Sequence, residues 1–399
     1  MTVQGRERLA SADIVVVGAG IMGASIAFQL TRQSGRKVVV VDERPPVGGM
    51  SGRTFGQIRQ HYSNALMVEM AIRGFEVLNN WQSEVGVGDP GYVKLGYMLL
   101  VVEAQVEACR RNVELGRQLG VDTRFASPDE IKALEPALVT DDLAGGAWEP
   151  NGGYIDVTRM VLSWLGAAQA AGATLHSGLR VEGIATNGGK VVGVDTPRGR
   201  IEAPTVIAAT GAWITDLLGP LGIDAPIERR RLDMAYLEQP PGRPTIRTCI
   251  TDGNSNVVMR PDMGPYLLAV AYPDEMPEVA DPAAAAPAED EARHRSRLDK
   301  ALAERLPDFV DARVARTVSG AYDITPDFHP ILGWAPGVGG LYLAAGFSGH
   351  GLKLSPAVGE CVAAAVLGAR SPFDIHPLRP TRFAEGDPMY LAYGPSARA

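Results

Sequence analysis

The sequence predicts an α/β protein of two lobes, in which a lobe with a parallel βαβ unit accompanies an α+β lobe with a mostly antiparallel sheet. Its 399 residues exceed one ordinary domain. Residues 13–43, DIVVVGAGIMGASIAFQLTRQSGRKVVVVDE, have the pattern of buried strand, glycine turn, helix and buried strand. Beyond Gly219 the pattern changes to prolines and short apolar strands such as 256–272, which predicts the second lobe.

The composition indicates a globular protein with a small-molecule ligand. Acidic residues outnumber basic ones by 46 to 38, and the only dense basic run is 229–231, which argues against nucleic acid or an anionic membrane as partner. The three cysteines are far apart and the six histidines lack zinc-type spacing, so we expect neither a disulfide scaffold nor a metal. Without a signal segment or an apolar run long enough to span a membrane, we expect a cytoplasmic location.

The elements after the βαβ unit alternate between the two lobes. Residues 64–82 carry an apolar stripe at three- and four-residue steps and predict a helix. Residues 92–102 and 145–150 resemble strands on either side of a polar helix, 104–120, and indicate an inserted lobe. A further helix from Asp156 then leads to short strands separated by glycine turns, which return to the first lobe.

The remaining third of the chain contains a low-complexity stretch and, further on, a glycine-rich turn before an alanine-rich helix. Residues 278–297 are rich in alanine and proline and then charged, which predicts a solvent loop that opens an amphipathic helix and has no function. Residues 341–368 predict a strand, a glycine-rich turn and an alanine-rich helix, and we expect a loose tail beyond about Phe383. The predicted domain boundaries are 1–88, 150–219 and 318–399 for the first lobe and 89–149 and 220–317 for the second.

The glycine turn of the βαβ unit matches the fingerprint of a Rossmann-like dinucleotide site. Gly18, Gly20 and Gly23 stand between strand and helix, and Asp42 and Glu43 close the second strand. Such glycines permit a tight turn and the approach of a pyrophosphate to the helix N-terminus, and the acid suits a ribose hydroxyl. This fingerprint does not distinguish FAD from NAD.

Five further motifs, in order along the chain, resemble the D-amino-acid-oxidase-like family of FAD enzymes, in particular its branch of sarcosine oxidases, dimethylglycine dehydrogenases and glycine oxidase. The resemblance covers nearly the whole chain and implies FAD as the cofactor and a sarcosine-oxidase-like fold. The motifs are GMSGRTFGQIRQHYS at 49–63, NGGYIDVTRM at 151–160, ATGAW at 209–213, SGAYDITPDFHPILG at 319–333 and GFSGHGLKLSPAVGE at 346–360.

The resemblance implies a set of cofactor-binding residues. The ADP half of FAD is expected to lie against the nucleotide fingerprint, the pyrophosphate and flavin against the segment after residue 49, and the flavin ring against the two C-terminal motifs. Trp213 taken alone would fit a protein core equally well. The expected residues are Gly18, Gly20, Ile21, Met22, Gly23, Asp42, Glu43, Ser51, Arg53, Thr54, Val181, Thr210, Gly211, Trp213, Gly320, Gly346, Gly349, His350, Gly351, Leu352 and Lys353.

The motif at 346–360 places a cation where helix electrostatics disfavour one. A glycine-rich turn at a helix N-terminus directs backbone N–H groups toward the electron-rich edge of a flavin. Lys353 lies in the first turn of that helix, so a buried anionic partner is expected; a lysine that reaches solvent is the alternative.

By the resemblance, Lys353 binds the substrate carboxylate together with Arg59, whose planar fork suits a carboxylate. Tyr322 is the third expected catalytic residue, close to the flavin ring and the substrate. His61 and Tyr62 are further pocket candidates. Without the resemblance, Arg59 would be interpreted as a surface residue.

Two departures from the family pattern affect the flavin. Monomeric sarcosine oxidases have a flavin-linked cysteine where this chain has Gly320, so we expect FAD to be bound without a covalent link. They also have a lysine over the flavin where this chain has Leu268, which leaves oxygen in doubt as the electron acceptor. Arg260 is a candidate substitute for that lysine.

The expected function is FAD-dependent oxidation of a small carboxylate-bearing amine, either an N-alkyl or a free amino acid. Hydride transfer to flavin N5 gives an imine that hydrolyses, and the electrons pass to oxygen or an external acceptor. One alternative is the flavin-bearing subunit of an amine dehydrogenase complex, with an electron-acceptor protein as partner. More remote alternatives are a nicotinamide-dependent dehydrogenase and a binding protein without turnover.

Overall fold

The computed structural model describes residues 8–389. The helices in this range begin and end as follows: α1 Ile21–Gln33, α2 Ala65–Asn79, α3 Trp81–Glu84, α4 Val106–Gln118, α5 Pro128–Leu134, α6 Val157–Ala170, α7 Ile214–Leu218, α8 Ala288–Arg305 and α9 Gly351–Leu367.

The strands of the described range form four sheets. They are β1 Arg8–Ser11, β2 Ile14–Val17, β3 Val38–Asp42, β4 Gln57–Ile58, β5 Tyr92–Lys94, β6 Tyr97–Val101, β7 Arg124–Ala126, β8 Gly145–Glu149, β9 Gly153–Ile155, β10 Thr174–Ser177, β11 Gly183–Asn187, β12 Lys190–Thr196, β13 Gly199–Glu202, β14 Thr205–Ala208, β15 Glu228–Glu238, β16 Cys249–Asp252, β17 Val257–Asp262, β18 Tyr266–Ala271, β19 Val314–Ile324, β20 Ile331–Trp334 and β21 Leu341–Ala345.

The predicted βαβ unit is the centre of a six-stranded sheet of order β10-β3-β2-β14-β21-β20. All neighbours in it are parallel except β20, which is antiparallel to β21. Alternate residues face opposite sides: Ile14 and Val16 pack with α1, α6 and α9, whereas Val15 and Val17 pack against the sheet β1-β13-β12-β11. Because both faces are covered, β2 and β3 are almost wholly apolar.

The second large sheet has the order β19-β15-β18-β17-β16-β6-β8-β7 and is antiparallel apart from the β16–β6 pair. The α/β class with a second, mostly antiparallel sheet is therefore confirmed. This sheet combines strands from before α6 and after α7, which supports the proposed two-lobe division. β19 begins at Val314, so that strand crosses the proposed boundary at residue 318.

The helix predicted over 64–82 forms, but in two pieces. The Asn64 side chain accepts a hydrogen bond of 3.0 Å from Met67 N–H and caps α2, as expected for an N-cap asparagine. At Asn80 the backbone leaves the helical conformation, and α3 follows at once. This bend lets the Trp81 ring pack 5.6 Å from that of Trp164.

The expectation of a loose tail beyond Phe383 is wrong as far as Met389, and residues 390–399 lie outside the described range. Arg382 is fully buried, and its guanidinium binds both oxygens of the Asp327 carboxylate at 2.8 and 2.9 Å. Met389 N–H donates to the same carboxylate at 3.0 Å. Sequence analysis could not predict this contact of the C-terminal segment, because one buried ion pair leaves no periodic apolar pattern.

Among the described helices, none combines the length and apolar character that crossing a bilayer requires.

We predict that Arg382→Met lowers the free energy of unfolding by about 3–5 kcal/mol, because it leaves the buried Asp327 carboxylate without its counter-charge. Urea denaturation of the cofactor-saturated protein measures this change. Arg111→Met, which removes an exposed ion pair with Glu107 on α4, is the matched control and should leave the midpoint almost unchanged. Equal midpoints for the two variants would contradict the prediction.

Candidate active site

A cavity of about 620 Å³ lies between the six-stranded and eight-stranded sheets. One wall is formed where β2, β3 and β14 end, by Gly18, Asp42 and Thr210, and the opposite wall includes Met234 and Val270. The carboxyl edge of a parallel sheet is where open α/β folds bind ligands. The volume is in the range of about 300–1,000 Å³ that ligand pockets have.

The turn between β2 and α1 and the first turn of α1 pack too closely to admit a side chain at Gly18 or Gly23. A Cβ added to Gly18 would overlap the carbonyl oxygen of Ala209, and one added to Gly23 would overlap the carbonyl oxygen of Gly18. Gly18 also has a φ of 107°, which only glycine adopts without strain. These contacts bring the N-terminus of α1 to the cavity wall, where backbone N–H groups favour an anionic ligand.

The acid at the end of β3 is held rigidly at one end of the cavity. Asp42 accepts hydrogen bonds from Ala19 N–H at 2.7 Å and from Arg44 N–H at 2.8 Å. Burial raises the pKa of Asp42, although these N–H groups oppose the shift. The Arg44 guanidinium lies 4.2 Å from the centre of the Trp213 ring, so this tryptophan is part of the cavity wall and not of the interior core.

Most of the residues expected to bind the cofactor line this one cavity. Four others, Gly23, Gly346, His350 and Lys353, do not line it, although each is next in sequence to a residue that does. The expected residues that line the cavity are Gly18, Gly20, Ile21, Met22, Asp42, Glu43, Ser51, Arg53, Thr54, Val181, Thr210, Gly211, Trp213, Gly320, Tyr322, Gly349, Gly351 and Leu352.

The sequence missed two parts of the wall. Leu232, Met234 and Val270 line the cavity from β15 and β18, and their alternating apolar pattern is that of any sheet core. The segment 280–282 also lines it, and the Arg53 guanidinium donates to the carbonyl oxygen of Ala283 at 3.1 Å. As predicted, this stretch is a loop that opens helix α8, but the expectation that it has no function is wrong for residues 280–282, which form part of the cavity wall.

The turn before α9 is shaped by a buried carboxylate. Asp323 accepts a hydrogen bond of 2.8 Å from Gly346 N–H, and burial raises its pKa to about 6. Gly349, with a φ of 83°, faces the Tyr322 ring; an added Cβ would lie 2.9 Å from that ring. The turn thus directs the first residues of α9, Gly351 and Leu352, toward the cavity.

Two cations are buried around a single aromatic ring. The guanidinium of Arg59 lies 4.6 Å and the ammonium of Lys353 5.6 Å from the centre of the Tyr62 ring. Arg59 and Lys353 are each 6% exposed, so neither is the solvent-facing side chain that was the alternative. Burial and then the charge of Arg59 lower the pKa of Lys353 well below its ordinary value.

Two histidines and an acid complete this cluster. His61 and His350 are buried, and the ring of His350 approaches the Tyr62 hydroxyl at 3.4 Å. Burial lowers the pKa of both histidines, that of His61 to about 3. Glu149 is 1% exposed, and burial raises its pKa to about 7 although Gln60 N–H and the two cations oppose the shift. The sequence marked Glu149 only as the end of a strand.

Among the described residues, the strands around Tyr322, which are β15, β18 and β19, contain no lysine. Leu268 is fully buried and packs in an apolar cluster with Leu232, Met234 and Val270. The Tyr322 hydroxyl is 3.2 Å from that of Tyr272. Arg260 does not line the cavity; its guanidinium donates to the Phe55 carbonyl at 2.7 Å and to the Asp262 carboxylate at 2.8 Å.

The cavity suits FAD in shape and in chemistry. The close glycine turn and the α1 N-terminus fit a pyrophosphate, Asp42 fits a ribose, and the apolar residues of β15 and β18 fit one face of an isoalloxazine ring. The Thr210 hydroxyl lines the cavity and has no hydrogen-bond partner among the described residues, so a polar ligand there would satisfy it. Within residues 8–389, no group of three or more His, Cys, Asp or Glu side chains could hold a metal ion.

Comparisons with known proteins find relatives among the dehydrogenases and oxidases of amines and amino acids. Human mitochondrial sarcosine dehydrogenase is 25% identical over 92% of this chain, which spans 41% of that protein. The structure of L-proline dehydrogenase from P. horikoshii is 26% identical with a TM-score of 0.87 over 95% of this chain and 100% of that one. Glycine oxidase from Geobacillus kaustophilus is 25% identical with a TM-score of 0.80, over 94% and 99%.

A family model described as FAD dependent oxidoreductase (DAO) matches residues 13–365. This match spans the glycine turn, the eight-stranded sheet and most of α9. It includes Arg59, Tyr322 and Lys353. The chain therefore belongs to the DAO family of FAD-dependent oxidoreductases, which act on amino acids or amines.

Proposed function

We propose that this protein oxidises a small amine that bears a carboxylate, either an N-alkyl or a free amino acid, at its C–N bond. The observation that carries the proposal is the burial of Arg59 and Lys353 around the Tyr62 ring. Two cations buried side by side attract an anion, even though the carboxylate of Glu149 already acts on both of them. A substrate carboxylate is such an anion, and Arg59 offers it a planar pair of donors.

The position of this pair of cations supports the same substrate class. Lys353 follows Gly351 and Leu352, which line the cofactor cavity, so a carboxylate bound at Lys353 would lie next to the part of the cavity that these two residues form. Tyr322 lines the same cavity and is positioned to confine the carbon next to the nitrogen. The residues thus orient the C–H bond for transfer, and such positioning supplies a large part of catalysis.

The chemistry follows from that placement. FAD, when bound, supplies the hydride acceptor. Arg59 and Lys353 would bind the carboxylate, and the apolar residues of β15 and β18 would exclude water from the reacting carbon. The amine must be neutral to give an imine. The positive charges of Arg59 and Lys353 favour this neutral form, because they disfavour a positive charge on the amine of the bound substrate. Water then hydrolyses the imine to the carbonyl product and the free amine.

The solved relatives support amines of this class. L-proline dehydrogenase and glycine oxidase are named for substrates in which the amine and the carboxylate share one carbon. We extend this feature to the present chain because its buried cations would bind the carboxylate that both substrates have. Because the chain belongs to a family of FAD-dependent oxidoreductases, the nicotinamide-dependent alternative is wrong.

An acceptor other than oxygen is the second candidate function. The place expected for an oxygen-activating lysine is occupied by Leu268, and Arg260 is bound to Phe55 and Asp262. We therefore propose that this chain passes electrons to a protein or quinone acceptor, as in a flavin-bearing subunit of a dehydrogenase complex.

The proposed reaction predicts that an amine of this class bleaches the visible flavin band anaerobically. The purified protein is mixed with a panel of N-methyl and free amino acids, and the absorption spectrum is recorded before and after admission of air. Slow recovery in air, accelerated by an artificial acceptor, is expected for a dehydrogenase; rapid recovery would identify an oxidase. A yellow protein that no carboxylated amine bleaches would refute the proposed function.

The paired cations predict that Arg59→Ala and Lys353→Met each reduce kcat/KM for a carboxylated amine by about 10- to 100-fold, because each removes a charge-assisted hydrogen bond worth about 1.5–3 kcal/mol. Flavin content should remain full in Arg59→Ala. Arg111→Ala and Lys94→Met are matched controls, since both residues are exposed. Unchanged turnover in both Arg59→Ala and Lys353→Met would exclude the role of these residues in binding the substrate carboxylate.

Gly320 predicts that the flavin is bound without a covalent link. Acid precipitation of the yellow protein should release all of the flavin into the supernatant, measured by its fluorescence. Flavin retained in the pellet would contradict the prediction.

A further inference from the structure

Glu149 is the buried acid beside the two cations proposed to bind the substrate carboxylate. Glu149 ends β8 and lies directly opposite Tyr97 of β6. Side chains of residues that are paired across two strands in this way are close enough to touch. The Arg59 guanidinium lies 5.8 Å from the centre of that Tyr97 ring. Glu149, Arg59 and Lys353 are therefore grouped around the two rings Tyr97 and Tyr62.

The carboxylate of Glu149 is held from one side only. Its Oε2 accepts a hydrogen bond of 2.8 Å from Gln60 N–H, the residue after Arg59. Its Oε1 is buried and has no hydrogen-bond partner among the described residues. Burying a carboxylate that has one oxygen without a hydrogen bond is costly unless a nearby positive charge compensates it. Arg59 and Lys353 are cations whose charges act on this carboxylate.

We propose that Glu149 is the internal counter-ion of the carboxylate-binding pair, a positioning residue that keeps Lys353 protonated until the substrate carboxylate arrives. The inference rests on the proposed function, since it assigns Glu149 a role only if Arg59 and Lys353 bind a carboxylate. Arg59 is always charged, whereas the charge of Lys353 depends on its surroundings. Of the groups that act on Lys353, burial and Arg59 lower its pKa and Glu149 raises it.

Binding of the carboxylate is expected to weaken as the pH rises, because it depends on the charge of Lys353. Carboxylate binding needs protonated Lys353, so it is strong below the pKa of Lys353 and is lost as the pH rises through it. Glu149 is ionised above its own pKa of about 7 and there supports the charge of Lys353. Without that carboxylate the pKa of Lys353 falls further, and the loss of binding moves to lower pH.

The other titratable groups around the cluster do not change charge between pH 7 and 9. His61, His350 and His329 have lowered pKa values, Tyr62 and Tyr322 have raised ones, and the pKa of Tyr97 is raised to about 12. On the α2 side of α9, Arg73 is paired with Glu84 and Glu360. Within this window a shift in the binding profile therefore reports the Lys353–Glu149 pair.

The test uses the FAD-loaded protein and acetate, a carboxylate that cannot be oxidised. Acetate binding is followed by the change in the visible flavin spectrum at intervals from pH 7 to 9. In Glu149→Gln, the inflection of Kd with pH is expected to move to lower pH, and above the inflection the affinity should be at least about tenfold weaker than in the wild type, which corresponds to one pKa unit. Glu149→Asp keeps the charge and should retain the wild-type inflection.

A second comparison separates this role from a structural one. In a Lys353→Met background, Glu149→Gln should give no further loss of acetate affinity, because the two residues act as one unit. A loss that is independent of pH, or equal with and without Lys353, would overturn the inference. If Arg59→Ala and Lys353→Met bind acetate as the wild type does, the proposed function itself fails. If they lose binding while Glu149→Gln keeps the wild-type profile, only the role of Glu149 fails.

Discussion

The burial of unlike charges beside one cavity is the constraint on which the candidate site depends. Arg59, Lys353 and Glu149 are almost fully buried, and each would be too costly there alone. They come from β8, from the segment after β4 and from the first turn of α9, so these three parts of the chain must meet in one arrangement. The fold therefore fixes the positions of these charges, and in the proposed function the two cations bind the carboxylate of the substrate.

Close backbone packing makes that meeting possible. α2 approaches the start of α9 so closely that a Cβ on Gly74 would overlap the carbonyl oxygen of Lys353. A side chain on Gly359 would meet Ser25 of α1, whose hydroxyl donates to the Ser355 carbonyl oxygen at 2.6 Å. These contacts seat the N-terminal turn of α9 on the layer of helices and hold Lys353 away from water.

The cofactor and the substrate place different demands on the two sheets. The parallel sheet offers backbone N–H groups and the Asp42 carboxylate at its edge, which suit a charged dinucleotide. The eight-stranded sheet offers apolar side chains such as Met234 and Val270 and the hydroxyl of Tyr322. A site between the two can bind a polar cofactor and still keep the reacting carbon in a water-poor environment.

The sequence alone determined the parts that depend on local pattern. The glycine turn, the apolar strands and the terminal Asp42 lie within about thirty residues, where spacing dictates geometry, and the ordered motifs added Arg59, Tyr322 and Lys353. Tertiary structure decided what depends on distant segments. Glu149, residues 280–282 and Arg382 carry no periodic signal, because their roles arise from contacts with residues that are far apart along the chain.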